Sequence, residues 1–273
     1  MLLNIKNLNM FLLNKRYNGI DRDTLNLIKQ MGALIPNSEK DKDELMEQNN
    51  LFCQYEICNY IFKIKEKCEK IMNCEEEQNL LIVTLNPNYD FALNTLHGVL
   101  GYNLINTTYI LIYISDYTGI YDTVGSIYVH EYNHVLRNFL LMKDKVQVQK
   151  VLFDYIIEEG LAENFVSRVL GEDFLNPWAK HLSLKKVKDN TGIILNYLKE
   201  KKTDLIYSIL YGDQKRGIPM WLGYSFGFYF IRFIIKESKG QLDFLTGQRK
   251  EFFMPYLNEF INWIEKNKGS RIL

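Results

Sequence analysis

Residues 129–135 read Val-His-Glu-Tyr-Asn-His-Val, and this stretch decides the architecture that we expect for the chain. On an α-helix, side chains four positions apart lie on one face, so His130 and His134 can direct two imidazoles at one metal ion. Glu131 lies about 100° further round the helix, where its carboxylate can reach a water molecule beside the metal without binding the metal itself. A zinc hydrolase requires this arrangement.

The motif alone leaves a second interpretation open, because a helix with these residues on a solvated face needs no metal. The chain contains only four histidines among 273 residues, and a chance match to the motif is on the order of one in a few hundred. A third ligand downstream would favour the metal site.

A helix is predicted over residues 147–170, where apolar residues recur at the i, i+3, i+4 spacing. They are Val148, Val151, Leu152, Tyr155, Ile156, Ala162, Val166 and Val169. Glu159 falls on this stripe, and a buried carboxylate is costly unless it is paired or binds a metal. We therefore predict that Glu159 is the third zinc ligand. The alternative is an ion pair in the core, for which Arg137 is a candidate partner.

The neighbours of Glu159 have different predicted roles. Glu158 is rotated off the stripe and is expected on the surface. Glu163 returns to the side of Glu159 one turn later, and we expect its carboxylate to accept a hydrogen bond from the non-coordinating N–H of a motif histidine. We expect Arg137 in this outer layer of the site as well.

Other zinc patterns fit less well. An extended H-E-x-x-H-x-x-G-x-x-H motif would require glycine and histidine where the chain has Arg137 and Leu140. His181 remains an alternative third ligand, although its charged surroundings favour a solvent-facing side chain. His97 lies in a glycine-flanked loop and is a candidate for a substrate contact.

Composition restricts the class of protein. Lys plus Arg and Asp plus Glu number 33 each, and this balance argues against a dedicated nucleic-acid binder. Residues 1–16 lack the features of a signal peptide, and no apolar run has the length of a membrane span. We predict a cytoplasmic protein with neither a membrane nor a nucleic-acid partner. Four cysteines without C-x-x-C spacing predict reduced thiols on N-terminal helices; they are Cys53, Cys58, Cys68 and Cys74.

The chain divides into three predicted parts. Residues 1–78 are expected to be mainly helical, with one helix over 21–31 and a longer one over 43–72. Residues 79–170 are expected to hold a small sheet and the helices of the metal site. Residues 171–273 are expected to be helical again.

The small sheet is predicted from two β-branched runs, at residues 80–85 and 109–114. Between them, residues 96–102 contain two glycines three apart, which predicts a loop or an irregular edge strand. An edge strand can hold an extended peptide by backbone hydrogen bonds. The motif helix follows, over residues 122–141, with Asp122 or Thr123 as its cap.

An aromatic segment at residues 219–230 contains Gly223 and Gly227, whose spacing favours close helix packing. Gly160 favours the same for the preceding metal-site helix. A zinc peptidase also needs a donor for the developing oxyanion, and we predict Tyr224, with Tyr211 and His181 as alternatives.

Two motifs together resemble a known family. His-Glu-Tyr-Asn-His with Arg137 three residues on, followed by Glu-Gly-Leu-Ala-Glu at residues 159–163, is similar to a bacterial family of predicted zinc-dependent proteases with H-E-Y-x-H and E-G-L-A-E signatures. The chain also resembles the gluzincin clan, in which two histidines and a downstream glutamate hold zinc. The family often has histidine where this chain has Asn133, a position that is not a ligand.

The resemblance is strongest over residues 109–170 and weaker over residues 221–227, and it implies a peptide or protein substrate. We therefore expect a single zincin-like unit of the α+β class over residues 1–273, mainly helical. The predicted function is a zinc-dependent hydrolase of amide bonds, a peptidase with Glu131 as general base. The alternative is a catalytically inactive zincin-fold protein that binds metal or a partner.

Overall fold

The computed structural model describes residues 3–14, 20–75, 77–104, 106–115, 119–142, 149–237 and 240–266. The chain divides into two compact units, residues 1–135 and residues 136–273, and the dividing point falls inside one helix. Predominantly helical structure with one small sheet confirms the predicted α+β class.

The first unit contains four strands and most of the motif helix. Its elements are β1 (Leu3–Asn7), α1 (Asn9–Leu12), α2 (Arg22–Gln30), α3 (Glu39–Gln54), α4 (Ile57–Ile71), β2 (Gln78–Thr84), α5 (Asp90–Thr95), β3 (Val99–Leu104), β4 (Thr107–Ile112) and the start of α6 (Ile120–Met142). The strand order is β1-β2-β4-β3. Strands β1, β2 and β4 are parallel, and β3 runs antiparallel to β4 at the edge.

The central strands β2 and β4 are largely buried on both faces, which explains why they read as continuous apolar runs. Val83 and Leu111 on one face pack in a cluster with Ile28 of α2 and Leu45 of α3. On the opposite face, Ile82 and its neighbours in β4 are also buried. The two predicted strands are confirmed within two residues at each end.

Strand β3 lies at the edge of the sheet in regular pairing with β4, where the sequence predicted a loop or an irregular edge strand. Its register determines which backbone groups face outward. The Tyr113 amide donates to the Gly98 carbonyl, so the hydrogen-bonded pairs with β4 are those of Gly98, Leu100, Tyr102 and Leu104. The intervening residues point their N–H and C=O groups away from β4. Gly101 is the central one of these, paired with Ile110 without mutual hydrogen bonds.

The N-terminal part differs from the prediction in two places. Residues Leu3–Asn7 form strand β1, in a part of the chain that was predicted to be mainly helical, and Leu3 pairs with Gln78. The predicted long helix over 43–72 is two helices, α3 and α4, because Glu56 adopts a left-handed backbone conformation with φ 47°. Helix α2 is confirmed, with Asp21 as its cap.

Helix α6 carries the motif and extends slightly beyond its predicted bounds. It begins at Ile120, so Asp122 lies in its first turn and the predicted cap is wrong. Close packing explains the glycine at position 125 of this helix, because a Cβ there would lie 2.7 Å from the Tyr60 hydroxyl. Val124 and Val135 are buried, as predicted.

The second unit contains the end of α6 and seven further helices among its described residues. They are α7 (Leu152–Leu170), α8 (Leu184–Asp189), α9 (Thr191–Tyr197), α10 (Thr203–Tyr211), α11 (Leu222–Glu237), α12 (Leu242–Thr246) and α13 (Lys250–Lys266). Helix α7 begins at Leu152, later than predicted; the expected helical residues 147 and 148 lie outside the described residues. The Asp154 carboxylate accepts a hydrogen bond from the Val151 amide at this end.

Helices α7 and α11 cross in direct backbone contact. A Cβ at Gly160 would lie 2.3 Å from the Gly227 carbonyl oxygen, and a Cβ at Gly227 would lie 2.3 Å from the Ile156 carbonyl oxygen. The small residues that predicted close packing therefore meet each other. Gly223 instead faces Leu210 of α10.

The described helices include none whose length and apolar character would suit it to crossing a membrane. The four cysteines are free thiols, as predicted. Cys74 follows the end of α4 and is therefore not on a helix. Burial raises the pKa of Cys68, which keeps this thiol protonated.

Candidate metal centre

The two motif histidines lie one turn apart on α6 with their imidazoles close together. The Nε2 atoms of His130 and His134 are 3.0 Å apart. One ligand atom from each of these histidines and from Glu159 of α7 lies within 4.8 Å of the other two. The structure thus brings together the three residues that the sequence predicted as ligands.

This donor set fits zinc in kind and in spacing. Two imidazole nitrogens and one carboxylate oxygen are ligands of catalytic zinc sites, which keep a fourth position open. Tetrahedral coordination with bonds of about 2.0–2.1 Å places ligand atoms about 3.3 Å apart. The two histidine Nε2 atoms are 3.0 Å apart, which is close to that spacing. The three ligand atoms lie at most 4.8 Å from one another, a range that includes the tetrahedral separation. A His-His-Glu cluster in this structure can therefore hold a metal ion.

Glu131 is buried on α6 and contacts the edge strand β3. If Gly101 carried a Cβ, that atom would lie 2.6 Å from Glu131 Oε1 and 2.7 Å from its Cγ. The strand backbone therefore lies directly against the side chain of the predicted general base. His97, the candidate for a substrate contact, is exposed in the turn before β3 and has a left-handed backbone with φ 54°.

The other two residues inside the motif are also buried. The Tyr132 hydroxyl donates a hydrogen bond to the Met72 carbonyl at 2.9 Å and accepts one from the Cys74 amide at 3.2 Å. Burial raises the pKa of Tyr132, so its hydroxyl stays protonated for this contact. Asn133 is fully buried. Tyr132 therefore anchors the motif helix to the segment that follows α4.

Glu158 is buried, and the expectation that it lies on the surface is wrong. Its carboxylate is 2.8 Å from the Lys150 Nζ and 3.8 Å from the Arg137 Nε. The Arg137 guanidinium, 2% exposed, also donates hydrogen bonds of 2.8 Å to the carbonyls of Thr246 and Gln248. Burial lowers the pKa of Arg137, while Glu158 opposes that shift. Arg137 thus has Glu158 as its ionic partner.

Glu163 lies one turn after Glu159 and is fully buried. Its carboxylate accepts hydrogen bonds from the Asn176 side-chain amide at 2.8 Å and from the Asn176 backbone amide at 3.2 Å. These contacts fix the carboxylate in the interior of the second unit. The predicted hydrogen bond from a motif histidine to Glu163 stays a prediction.

The three candidates for the oxyanion donor share one aromatic cluster of the second unit. Tyr224 is buried, with its ring centroid 5.8 Å from Trp178 and 5.5 Å from Tyr211. His181 is exposed, as predicted, and its ring lies 4.9 Å from Trp221. Tyr211 is half-exposed. The choice among the three candidates stays a prediction.

Sequence reasoning missed three residues that shape the site. Gly101 was noted only as a strand irregularity, although a glycine inside a strand also signals close approach by another group. Nothing in the sequence around Tyr132 indicated its hydrogen bonds, because their partners lie about 60 positions away. Glu158 was misassigned because α7 is buried on more than one side.

The chain is similar in sequence to a family of known proteins. A family model described as "Predicted Zn-dependent protease (DUF2268)" matches residues 58–253, more than half of the chain. The uncharacterized protein YjfC of Bacillus subtilis strain 168 is 23% identical over 122 residues. That alignment covers 42% of this chain and 40% of YjfC, so it spans less than half of the relative. No solved structure matches the chain significantly.

Proposed function

Because this chain belongs to the DUF2268 family of predicted Zn-dependent proteases, we propose that it is a zinc-dependent hydrolase of amide bonds that acts on peptides or proteins. The observation that carries the proposal is the cluster of His130, His134 and Glu159, whose ligand atoms lie within 4.8 Å of one another. Two histidines from one helix and a glutamate from the next correspond to a gluzincin-like ligand set.

The general base in this proposal is Glu131. When bound, zinc supplies a Lewis acid that polarises the substrate carbonyl and lowers the pKa of a water molecule towards neutrality. Glu131 accepts a proton from the attacking water, whose oxygen bonds to the carbonyl carbon. The protonated Glu131 then donates that proton to the leaving amine as the C–N bond breaks.

The position of β3 at the edge of the sheet supports a peptide as the substrate. The N–H and C=O groups of Gly101 point away from β4, and its Cα lies against Glu131. An extended peptide that pairs with this edge would therefore run beside the general base. A backbone-paired strand also presents its own amide groups in a regular orientation, which suits cleavage of one of them.

The remaining predicted residues act around this centre. We propose that Glu163 and Arg137 stabilise the arrangement of α6 and α7 near the ligands, and that Tyr224 donates a hydrogen bond to the developing oxyanion. The hydrogen bonds of Glu163 to Asn176 and of Arg137 to Thr246 support rigid placement of both side chains.

Zinc quantification and peptide hydrolysis with a Glu131→Gln variant test the proposal. The variant should retain about one equivalent of zinc and lose roughly 10²–10⁴-fold in kcat, because only the base is removed. Glu66→Gln, at an exposed position on α4, is the matched control and should behave as wild type.

Two results would refute the proposal. Wild-type protein that neither contains zinc nor takes it up would exclude the metal site. Zinc-containing wild type without activity on a peptide library would instead favour the inactive, metal-binding alternative.

A further inference from the structure

Gly101 lies where the edge strand meets the Glu131 side chain, and the contact leaves no room for a methyl group. Besides the two close Glu131 atoms, Cγ2 of Ile127 would lie 2.8 Å from a Cβ at this position. Real Cβ atoms essentially never approach other atoms within 3.0 Å. Only a residue without a side chain therefore allows Glu131 to occupy its present position.

Backbone conformation is not the reason for glycine here. Gly98, three residues earlier, has φ 75°, which favours glycine for its conformation. Gly101 is not among the residues with positive φ, and it lies in regular pairing with β4. Alanine is therefore compatible with the strand at position 101, and the requirement for glycine comes from the space that Glu131 fills.

We infer that Gly101 is a positioning residue for Glu131, an inference that rests on the proposed function. The strand backbone contacts both the carboxylate and the Cγ of Glu131, so it restricts the side-chain rotamers from one side. A methyl group there would move the carboxylate, which is the far end of a flexible side chain and yields more easily than the strand. A general base must lie within hydrogen-bond reach of the proton that it removes.

Kinetics of a Gly101→Ala variant test this role. Misplacement of a catalytic group by about 1 Å costs about 100-fold in rate, so we expect kcat to fall about 100-fold. KM should stay within about twofold of wild type, because the outward N–H and C=O groups of residue 101 remain. Zinc content should not change, and a crystal structure of the variant should show the Glu131 carboxylate displaced.

Two further variants separate this effect from general disturbance. Gly192→Ala adds a methyl group in open space on α9 and should leave kcat unchanged. Gly101→Ala combined with Ile127→Leu removes the Cγ2 contact at similar volume while the contact with Glu131 remains, so kcat should stay low.

Three results would overturn the inference. They are a Gly101→Ala variant with kcat within twofold of wild type, recovery of kcat in the double variant, and an unmoved Glu131 carboxylate in the crystal structure of Gly101→Ala. The crystallographic comparison holds even if wild type hydrolyses no peptide, so failure of the proposed function is distinguishable from failure of this inference.

Discussion

Replacement of Gly160 by alanine should destabilise the second unit by about 2 kcal/mol. The added Cβ would lie 2.3 Å from the Gly227 carbonyl oxygen and 2.8 Å from Cγ1 of Ile231. The first of these is a backbone atom that cannot rotate away, so α7 and α11 must separate. Overpacking costs about 1–3 kcal/mol, and a backbone obstruction favours the upper end. The better helix propensity of alanine offsets about 1 kcal/mol of this cost.

Urea unfolding followed by circular dichroism measures the predicted loss. The midpoint should fall without a change in slope. Zinc affinity should fall as well, because separation of α7 from α11 disturbs the helix position next to Glu159. The matched control is Gly192→Ala on α9, where no described atom beyond its chain neighbours and its own helix backbone lies within 4 Å of the new Cβ, so stability should be unchanged or slightly higher. A Gly160→Ala protein as stable as wild type would show that the helix crossing is not a close-packed contact.

Three further predictions concern individual contacts. Arg137→Met should destabilise the protein by about 1–3 kcal/mol in urea unfolding, because the carbonyls of Thr246 and Gln248 lose their donor while Lys150 still pairs with Glu158, and unchanged stability would contradict this. Tyr132→Phe should cost about 1–2 kcal/mol through its two lost hydrogen bonds, and unchanged stability would argue against the anchoring role. Burial raises the pKa of Glu172, but hydrogen bonds from neighbouring Lys, Ser and Arg side chains outweigh this effect and lower the pKa to about 2. Its stabilising contribution should therefore be complete above its ordinary pKa of 4.5 and lost as the pH falls from 4.5 towards 2, and Glu172→Gln should abolish this part of the acid unfolding curve.

The sequence predicts those residues of the site whose positions follow from the geometry of a single helix. His130 and His134 are one helical turn apart, so their common face follows from helix geometry. Glu159 was identified from an apolar stripe on the next helix. The same stripe argument failed for Glu158, because α7 is buried around most of its circumference and Lys150 and Arg137 offset the buried charge.

Features that depend on distant residues could not be predicted in this way. Residues Leu3–Asn7 contain three polar residues in five, and their strand conformation follows from pairing with β2 far along the chain. No glycine or proline marks the point at Glu56 where α3 gives way to α4. The contact between Gly101 and Glu131 depends on how β3 lies against α6, which spacing within either element does not reveal.

The pairing of β1 with β2 has a consequence for synthesis of the protein. Leu3 pairs with Gln78, so a ribosome must add 75 residues (78 minus 3) after Leu3 before the partner residue exists. At roughly 5–20 residues per second, this takes about 4–15 s. During that interval helices α1 to α4 are synthesised while the first strand has no partner from its own sheet. A nascent chain stalled before residue 78 should therefore leave β1 open to chaperones and proteases.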